Sequence, residues 1–375
     1  MDLGTNQVLV AGASGWLGRG LLHALTSGLS ECEALREPQV NLRIRALVLP
    51  GEDEESVKKI SDQIEVVVGD IRNPQDCTSF CQDAEGSILF NTAGIIHPRW
   101  VRDYYQINVK GTENLLDAAI SAGLRRAVVV SSNSPCGCNP HLDHRFDEES
   151  PYNPYMAYGR SKRLMELNVK EVQRMGKIET VIIRCPWFYG PFQPLRQTTF
   201  FQMIRDGMGP VIGGGENLRS MVYIDNLSQG LILAAMTEKA NGQIYWIADE
   251  RPYSMNEIIN TIERLLETEF GQQCKHKRLK LPGFVSEIAQ LVDWGLQKLG
   301  LYHQKIHVLS EMNKTIVCSI LKSKKELCYN PTITLEEGMR RSLTWIVITQ
   351  SESLFPSARA NLLPVQERVL QNKNY

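Results

Sequence analysis

A phenol and an ammonium stand four residues apart in the run Tyr158-Gly-Arg-Ser-Lys162. Positions i and i+4 share one face of a helix, so this spacing sets the two groups side by side. A neighbouring cation favours phenolate and is expected to lower the tyrosine pKa, which suits proton transfer to or from an alcohol or ketone oxygen. Tyr-x-x-x-Lys is common by chance, and its weight here comes from its company. Ser131-Ser132 closes an apolar run that starts at Arg126, and Asn108 sits in Asn-Val-Lys-Gly-Thr-Glu-Asn on the preceding helix. Nearer the N-terminus, Gly12-Ala-Ser-Gly15-Trp-Leu-Gly18 follows the first apolar run directly and opens a helix. Glycines there let the backbone approach a pyrophosphate, and the helix start offers unpaired N–H groups to it.

Such chemistry needs a scaffold to position it. Apolar or β-branched runs at Gln7–Ala11, Arg43–Leu49, Ile64–Val68, Ser87–Asn91, Arg126–Ser131, Ile178–Arg184 and Gln243–Ile247 read as strands buried on both faces. Between them, Trp16–Ser27, Pro74–Cys81, Tyr104–Ala122 and Tyr158–Met175 read as helices. This alternation predicts an α/β fold, a doubly wound parallel sheet with covering helices. After Pro186 the texture turns to Gly/Pro-rich loops and scattered helices, which predicts a smaller, mainly helical substrate lobe. The expected division is a dinucleotide-binding part over 1–185 with return segments near 220–250, an interleaved lobe over 186–350, and a tail over 351–375. Ser254-Met-Asn-Glu257 and Thr334-Leu-Glu-Glu337 have the form that caps a helix reciprocally, so a helix is expected to begin at each.

An acid at the end of the second strand would bind a ribose 2′-OH, whereas an arginine would bind a 2′-phosphate. That place reads Leu47-Val48-Leu49-Pro50-Gly51, and Glu52 and Asp53 lie slightly too late. NAD and NADP therefore stay open, with a lean to NAD because no cation is at hand. Gly69-Asp70-Ile71 ends the third strand, where the Asp70 carboxylate is placed to hold an adenine edge.

Together these residues resemble the extended short-chain dehydrogenase/reductases, also called the NAD-dependent epimerase/dehydratase family, over roughly residues 5–345. The matching pieces are Gly12–Gly18, Gly69-Asp70, Asn91-Thr-Ala-Gly94, Asn108, Val130-Ser-Ser132, Tyr158-x-x-x-Lys162, Arg184-Cys-Pro-Trp-Phe-Tyr-Gly-Pro191 and Val222-Tyr-Ile-Asp225. The resemblance implies a Rossmann-type fold and an NAD(P) cofactor. It makes Tyr158 the acid/base, sets Ser132 against the reacting oxygen and Lys162 against the nicotinamide ribose, and adds Asn108 to the catalytic set. By the same resemblance, cofactor contacts fall to Gly12, Ser14, Gly15, Trp16, Leu17, Gly18, Leu49, Asp70, Ile71, Asn91, Thr92, Ala93, Gly94, Val130, Pro186, Trp187, Phe188 and Tyr189. Family members commonly pair through Tyr104–Ala122 and Tyr158–Met175, so a homodimer is expected.

Departures from the sugar-nucleotide members bear on function. Trp187 stands where many of them carry a substrate-contacting Asn, and Arg219-Ser220-Met221 replaces their Arg-Asp-Tyr or Arg-Asp-Phe. Ser132 is followed by Asn133-Ser134 rather than an acid pair, so no extra carboxylate is available for an elimination, and dehydration is disfavoured. The pattern is closer to the 3β-hydroxysteroid dehydrogenases and related reductases. His97, Asn133, Ser134, Trp187 and Arg219 are the candidate substrate contacts. The expected activity is hydride transfer between nicotinamide and a secondary alcohol or ketone of a small molecule. Alternatives are a nucleotide-sugar epimerase on tightly held NAD and a catalytically silent dinucleotide-binding regulator.

Other signals are weaker. His141-Leu-Asp-His144 with Asp147 lies in a Pro-flanked loop without the spacing of a single-face ligand pair, so no metal is expected. Cys136 and Cys138 have no sequence neighbour that would activate a thiol and read as packing residues. Phe284, Val285, Ile288, Leu291, Val292, Leu296 and Leu299 form a helical apolar stripe after the basic run Lys275-His-Lys-Arg278 and Lys280. Such a unit can lie on a membrane, although the expectation is that its stripe packs on its own domain. Lys+Arg 41 against Asp+Glu 42 gives a net charge of −1, which offers no field for nucleic acid. Nine scattered cysteines and no run of apolar residues long enough to span a bilayer point to a reducing, cytoplasmic setting.

Overall fold

The computed structural model describes the backbone of residues 1–354 and side chains through Thr349. Seven strands form one parallel sheet: β1 (Gln7–Ala11), β2 (Arg43–Val48), β3 (Ile64–Val68), β4 (Ile88–Asn91), β5 (Arg126–Ser132), β6 (Glu179–Cys185) and the strand Ile244–Trp246, in the order Ile244–Trp246, β6, β5, β4, β1, β2, β3. β1 shows why these runs become central strands. Val8 and Val10 enter one apolar core with the helices Trp16–Ser27 and Ile224–Met236, while Leu9 and Ala11 enter a second core with Pro74–Cys81, Thr112–Ser121 and Met156–Met175. A period-2 strand apolar at every position must be covered on both faces, and the helices supply the covers. Register then places chemistry: Ser131 lies opposite Arg184 and Ser132 opposite Cys185 at the carboxyl ends of β5 and β6.

Several expectations are revised. Tyr104–Ala122 is not one α-helix, because Tyr104–Gly111 winds as a π-helix before the α-helix Thr112–Ser121. Gly111 permits Ile71 to press in, since a Cβ there would stand 2.6 Å from the Ile71 side chain. The later half also contains short strand pairs, Trp187–Tyr189 with Met221–Tyr223 and Gly209–Ile212 with Arg278–Leu281, too brief to leave a periodic signal. Ser254 caps the helix Met255–Thr268 through the Glu257 N–H at 3.1 Å, as its spacing predicts. The helix Leu335–Leu354 extends into the expected tail, whose remainder lies outside the described residues.

The apolar stripe of the helix Phe284–Lys298 faces the opposite way from expectation. Ser286, Ala289, Asp293 and Gln297 point inward and are buried, whereas Phe284, Ile288, Leu291 and Val292 are exposed. The inner side meets polar partners that the sequence does not reveal: Asp293 takes His307 Nδ1 at 2.7 Å, and Gln297 accepts the Ala157 N–H at 2.9 Å.

Candidate active site

The glycine turn is built by close approach. Gly12 has φ +80°, and a Cβ on it would lie 2.7 Å from the Ala93 nitrogen; one on Gly18 would lie 2.1 Å from the Gly12 carbonyl. Only glycine fits at either place. Gly15 donates its N–H to Gly12 O at 3.1 Å, and the helix Trp16–Ser27 starts there without a side-chain cap, leaving its first amides for a ligand. Trp16 donates Nε1–H to Pro191 O at 2.7 Å and lies 4.7 Å from the Phe188 ring, tying the turn to the Pro186–Tyr189 segment. Leu17 is buried in the core, so its side chain points away from the turn.

At the end of β2 the Pro50-Gly51 bend, with φ +88° at Gly51, folds the chain back so that the Glu52 carboxylate accepts a hydrogen bond from Ser14 in the glycine turn, nearer to it than its place in the sequence implies. Asp70 is less available than expected, because its carboxylate is held by the Arg72 guanidinium and by the Arg72 N–H at 2.9 Å. Leu49 stands exposed beside this edge, and Ile71 is buried against the π-helix. The cradle of the turn, its free helix amides and the acid at its rim together suit the pyrophosphate and ribose of a dinucleotide.

Beyond β4, the chain passes over the carboxyl edge of the sheet. Thr92 donates Oγ1–H to Ala11 O at 2.7 Å, and Ala93 N–H is accepted by Asn91 Oδ1 at 3.2 Å. Asn108, fully buried in the π-helix, fixes the next step: it accepts the Ile95 N–H at 2.8 Å and donates Nδ2–H to Ile95 O at 3.1 Å and to Ser161 Oγ at 3.2 Å. A π-turn at a functional site is a recurrent device for aiming one side chain. Gly94 borders both Asn108 and Lys162, since a Cβ on it would lie 3.3 Å from Asn108 Oδ1 and 3.5 Å from Lys162 Nζ.

Lys162 donates to Val130 O at 3.0 Å, and Ser132 Oγ accepts the Ser134 N–H at 3.2 Å and donates its O–H to Asn133 Oδ1 at 3.4 Å. Gly159 lets the helix Met156–Met175 approach this loop, as its Cβ would strike Ser134 O at 2.5 Å. The expected depression of the Tyr158 pKa is not found. Low-polarity surroundings push the phenol up, with a hydrogen bond from Ser132 acting weakly against them. Burial instead lowers Lys162, to about 8. Tyr158 is thus held as a neutral phenol beside Ser132. Beneath it, Glu166 accepts from Ser131 Oγ at 2.6 Å and Tyr152 at 2.7 Å and forms a buried pair with Arg184 at 2.8 Å.

The substrate side is aromatic and partly charged. Arg219 is buried with its guanidinium 4.3 Å from the Trp187 ring; Nη2 bonds the Glu311 carbonyl, while Nε and Nη1 have no partner. His97 meets the Tyr302 hydroxyl at 2.6 Å and is lowered by burial to about 4, so it is neutral at physiological pH. Tyr302 packs on Tyr104, which packs on Tyr158 at 5.6 Å. Tyr155, Asp293, Gln297, Tyr302 and His307 were not among the sequence candidates. They lie on turns and helices with no motif, and only the packing of the later helices brings them to this wall. Cys136 and Cys138 lie nearby as thiols raised by burial, to about 11 and about 12. His144 meets Asn139 Nδ2 at 2.9 Å, and no cluster of three potential metal ligands occurs among the described residues.

Comparison with known proteins agrees with this fold. Residues 8–248 match the model of the NAD dependent epimerase/dehydratase family. The chain is 52% identical over 341 residues to the uncharacterized protein y4nL of Sinorhizobium fredii, covering 91% of this chain and 95% of that one. It is 28% identical over 305 residues to 3beta-hydroxysteroid-dehydrogenase/decarboxylase isoform 1 of Arabidopsis thaliana, covering 76% of this chain and 67% of that one. The solved structure of the Bacillus cereus UDP-glucuronic acid 4-epimerase in complex with NAD is similar at TM-score 0.68 and 21% identity, over 91% of this chain and 98% of that one. Gox2253 is similar at TM-score 0.73 and 21% identity, over 92% and 99%. Likeness at that identity speaks for the fold, whereas the family match spans most of the chain. The protein is a member of the NAD-dependent epimerase/dehydratase family.

Proposed function

We propose that the protein is a nicotinamide-dependent oxidoreductase that interconverts a secondary alcohol and a ketone, with Tyr158 exchanging the proton. The observation that carries this reading is that Tyr158 interacts with Ser132 while Lys162, on the same helix, borders Gly94 together with Asn108. A bound dinucleotide supplies the hydride acceptor or donor. In the direction of reduction, hydride adds to the carbonyl carbon while the Tyr158 hydroxyl gives its proton to the oxygen, and the phenolate is reprotonated from solvent. Ser132 donates a hydrogen bond to the same oxygen. Lys162 supplies a positive charge beside the forming phenolate, and Asn108 is a positioning residue that sets the loop facing it. Glu52, at the glycine turn, favours NAD over NADP because a carboxylate accepts from a 2′-OH and repels a 2′-phosphate.

Two side chains bear on the substrate. The unpaired donors of buried Arg219 suit an anionic group, and Trp187 offers a flat apolar surface beside it. A hydrophobic alcohol with a carboxylate fits both, in keeping with the similarity to a 3beta-hydroxysteroid-dehydrogenase/decarboxylase. The same arginine suits a diphosphate, which keeps nucleotide-sugar epimerisation as the second reading. The test is to denature freshly purified protein and quantify released nucleotide, then assay Tyr158→Phe with alcohol, ketone and sugar-nucleotide panels. Exchangeable NAD and a Tyr158→Phe rate lower by about 10²–10⁴ are expected. Wild-type turnover by Tyr158→Phe refutes the proton role, and stoichiometric NAD that does not exchange moves the assignment to epimerisation. No turnover on any panel, with nucleotide affinity kept, makes the protein a dinucleotide-binding regulator. Glu52→Arg should shift preference from NAD towards NADP, and an unchanged preference removes Glu52 from the cofactor site.

A further inference from the structure

The helix Phe284–Lys298 carries its apolar residues on the outside. Leu291 is 68% exposed, Phe284 58%, Ile288 57%, and Leu299 just beyond the helix 77%. A helix whose large apolar residues face water while Ser286, Asp293 and Gln297 face inward inverts the usual amphipathic order. It is not free to turn over. Asp293 is held by His307 and by both Gln297 contacts at 3.0 Å, and Gln297 is tied to the Ala157 N–H beside Tyr158. The outward orientation is therefore enforced by buried polar bonds, and the apolar face needs a partner.

The surroundings of this face specify the partner's chemistry. Between 275 and 305 the sequence has six Lys or Arg against Glu287 and Asp293, within a chain of net charge −1; Arg278 is neutralised by Glu263, with Nη2 to Oε2 at 2.7 Å, which leaves Lys275, Lys277, Lys280, Lys298 and Lys305. Of the two acids in that stretch, Asp293 is buried. At the C-terminal end the patch continues onto Trp100, which bridges Leu301 and carries Arg99 and Arg102 near its ring at 5.4 and 5.9 Å. Trp294 has the Lys298 ammonium 4.2 Å from its ring. Tryptophans beside cations around an apolar stripe match the boundary between acyl chains and anionic headgroups. The helix has 15 residues, about 22 Å at 1.5 Å per residue, so it is shorter than the hydrocarbon core, and no described helix is long and apolar enough to cross a membrane.

We propose that the face formed by Phe284, Ile288, Leu291, Trp294, Leu299 and Trp100 docks the protein in the plane of an anionic lipid bilayer. The inner side of the same helix touches the Tyr155–Tyr158 segment through Gln297, and the neighbouring helix Gln304–Glu311 touches it through the Tyr155 hydroxyl contact with Ser310 at 2.8 Å, so docking sets the substrate wall next to the lipid. This proposal does not depend on which reaction the site performs. Its test reads lipid binding alone: flotation of the full chain with phosphatidylcholine vesicles, with and without phosphatidylglycerol. Wild type should float with the anionic vesicles and bind neutral ones more weakly. Ile288→Gln/Leu291→Gln should lose about tenfold or more in affinity, because each side chain forfeits its burial in acyl chains, and Lys298→Glu should lose affinity in a salt-dependent way. Leu321→Gln, exposed on a different helix, should bind as wild type and serves as the control. Absence of binding, equal binding to neutral vesicles, or full binding by the double variant overturns the proposal. A self-association seen by sedimentation that Ile288→Gln/Leu291→Gln abolishes, without vesicle binding, assigns the face to a second copy and also overturns it.

Discussion

Replacing Asn108 by leucine tests how the loop over the sheet edge is held. The side chain makes three hydrogen bonds: from the Ile95 N–H at 2.8 Å, to Ile95 O at 3.1 Å and to Ser161 Oγ at 3.2 Å. Each is worth about 1 kcal/mol net, and leucine of similar volume replaces none of them, so Asn108→Leu should cost about 3 kcal/mol. Ser161 keeps its own bond to Tyr158 O at 2.8 Å, which limits the loss on that side. Urea unfolding at neutral pH measures the stability term. A double-mutant cycle with Ser161→Ala should return a coupling of about 1 kcal/mol for the single bond they share. Because Gly94 lies between Asn108 and Lys162, release of the loop also misplaces the site, and kcat should fall by up to about 10²-fold. A loss below about 0.5 kcal/mol together with wild-type kcat would refute the positioning role of Asn108.

Glu166→Gln should destabilise the fold by about 3–5 kcal/mol in urea, because it leaves the buried Arg184 guanidinium, packed between the Tyr152 and Trp246 rings, without a counter-charge. A cost under 1 kcal/mol would mean that Arg184 finds water instead. Lys162 gives a pH signature. Its pKa is about 8 when folded against 10.5 for the free side chain, so between those values the unfolded chain holds more protons and stability must rise with pH. The gain is about 3 kcal/mol across the window and should be missing from Lys162→Met. Equal pH slopes for both proteins from pH 8 to 10.5 would contradict the buried state of the amine. A homodimer through the helix Met156–Met175 predicts that Leu164→Glu/Leu167→Glu, at two exposed leucines on it, halves the mass measured by sedimentation, while an unchanged mass places the contact elsewhere.

Much of the fold is legible in the chain because it rests on local rules. Uniformly apolar runs must become strands covered on both faces, and the seven expected strands all appear in one parallel sheet with ends shifted by a residue or two. Gly12, Gly15 and Gly18 announce a tight strand-to-helix turn, and Tyr158 with Lys162 announces a shared helix face, since each depends only on spacing. What the chain does not display is whatever depends on long-range approach. Glu52 reaches Ser14 because a bend at Gly51 reverses the path, and nothing at position 52 signals that return. The same limit applies to electrostatics: the Tyr158–Lys162 spacing implies a lowered phenol pKa, yet burial, a property of the packed protein, raises it and lowers Lys162. The helix Phe284–Lys298 is the sharpest instance. Its periodicity shows that one face is apolar, but periodicity has no inside or outside, and only Asp293, Gln297 and His307 meeting across tertiary structure turn that face to the exterior. Sequence alone thus determined the sheet, the glycine turn and the family to which they belong, because these are matters of local pattern. Tertiary structure decided the charge state of the site, the acid at its rim and the outward apolar helix, because each depends on which distant groups share a low-dielectric space.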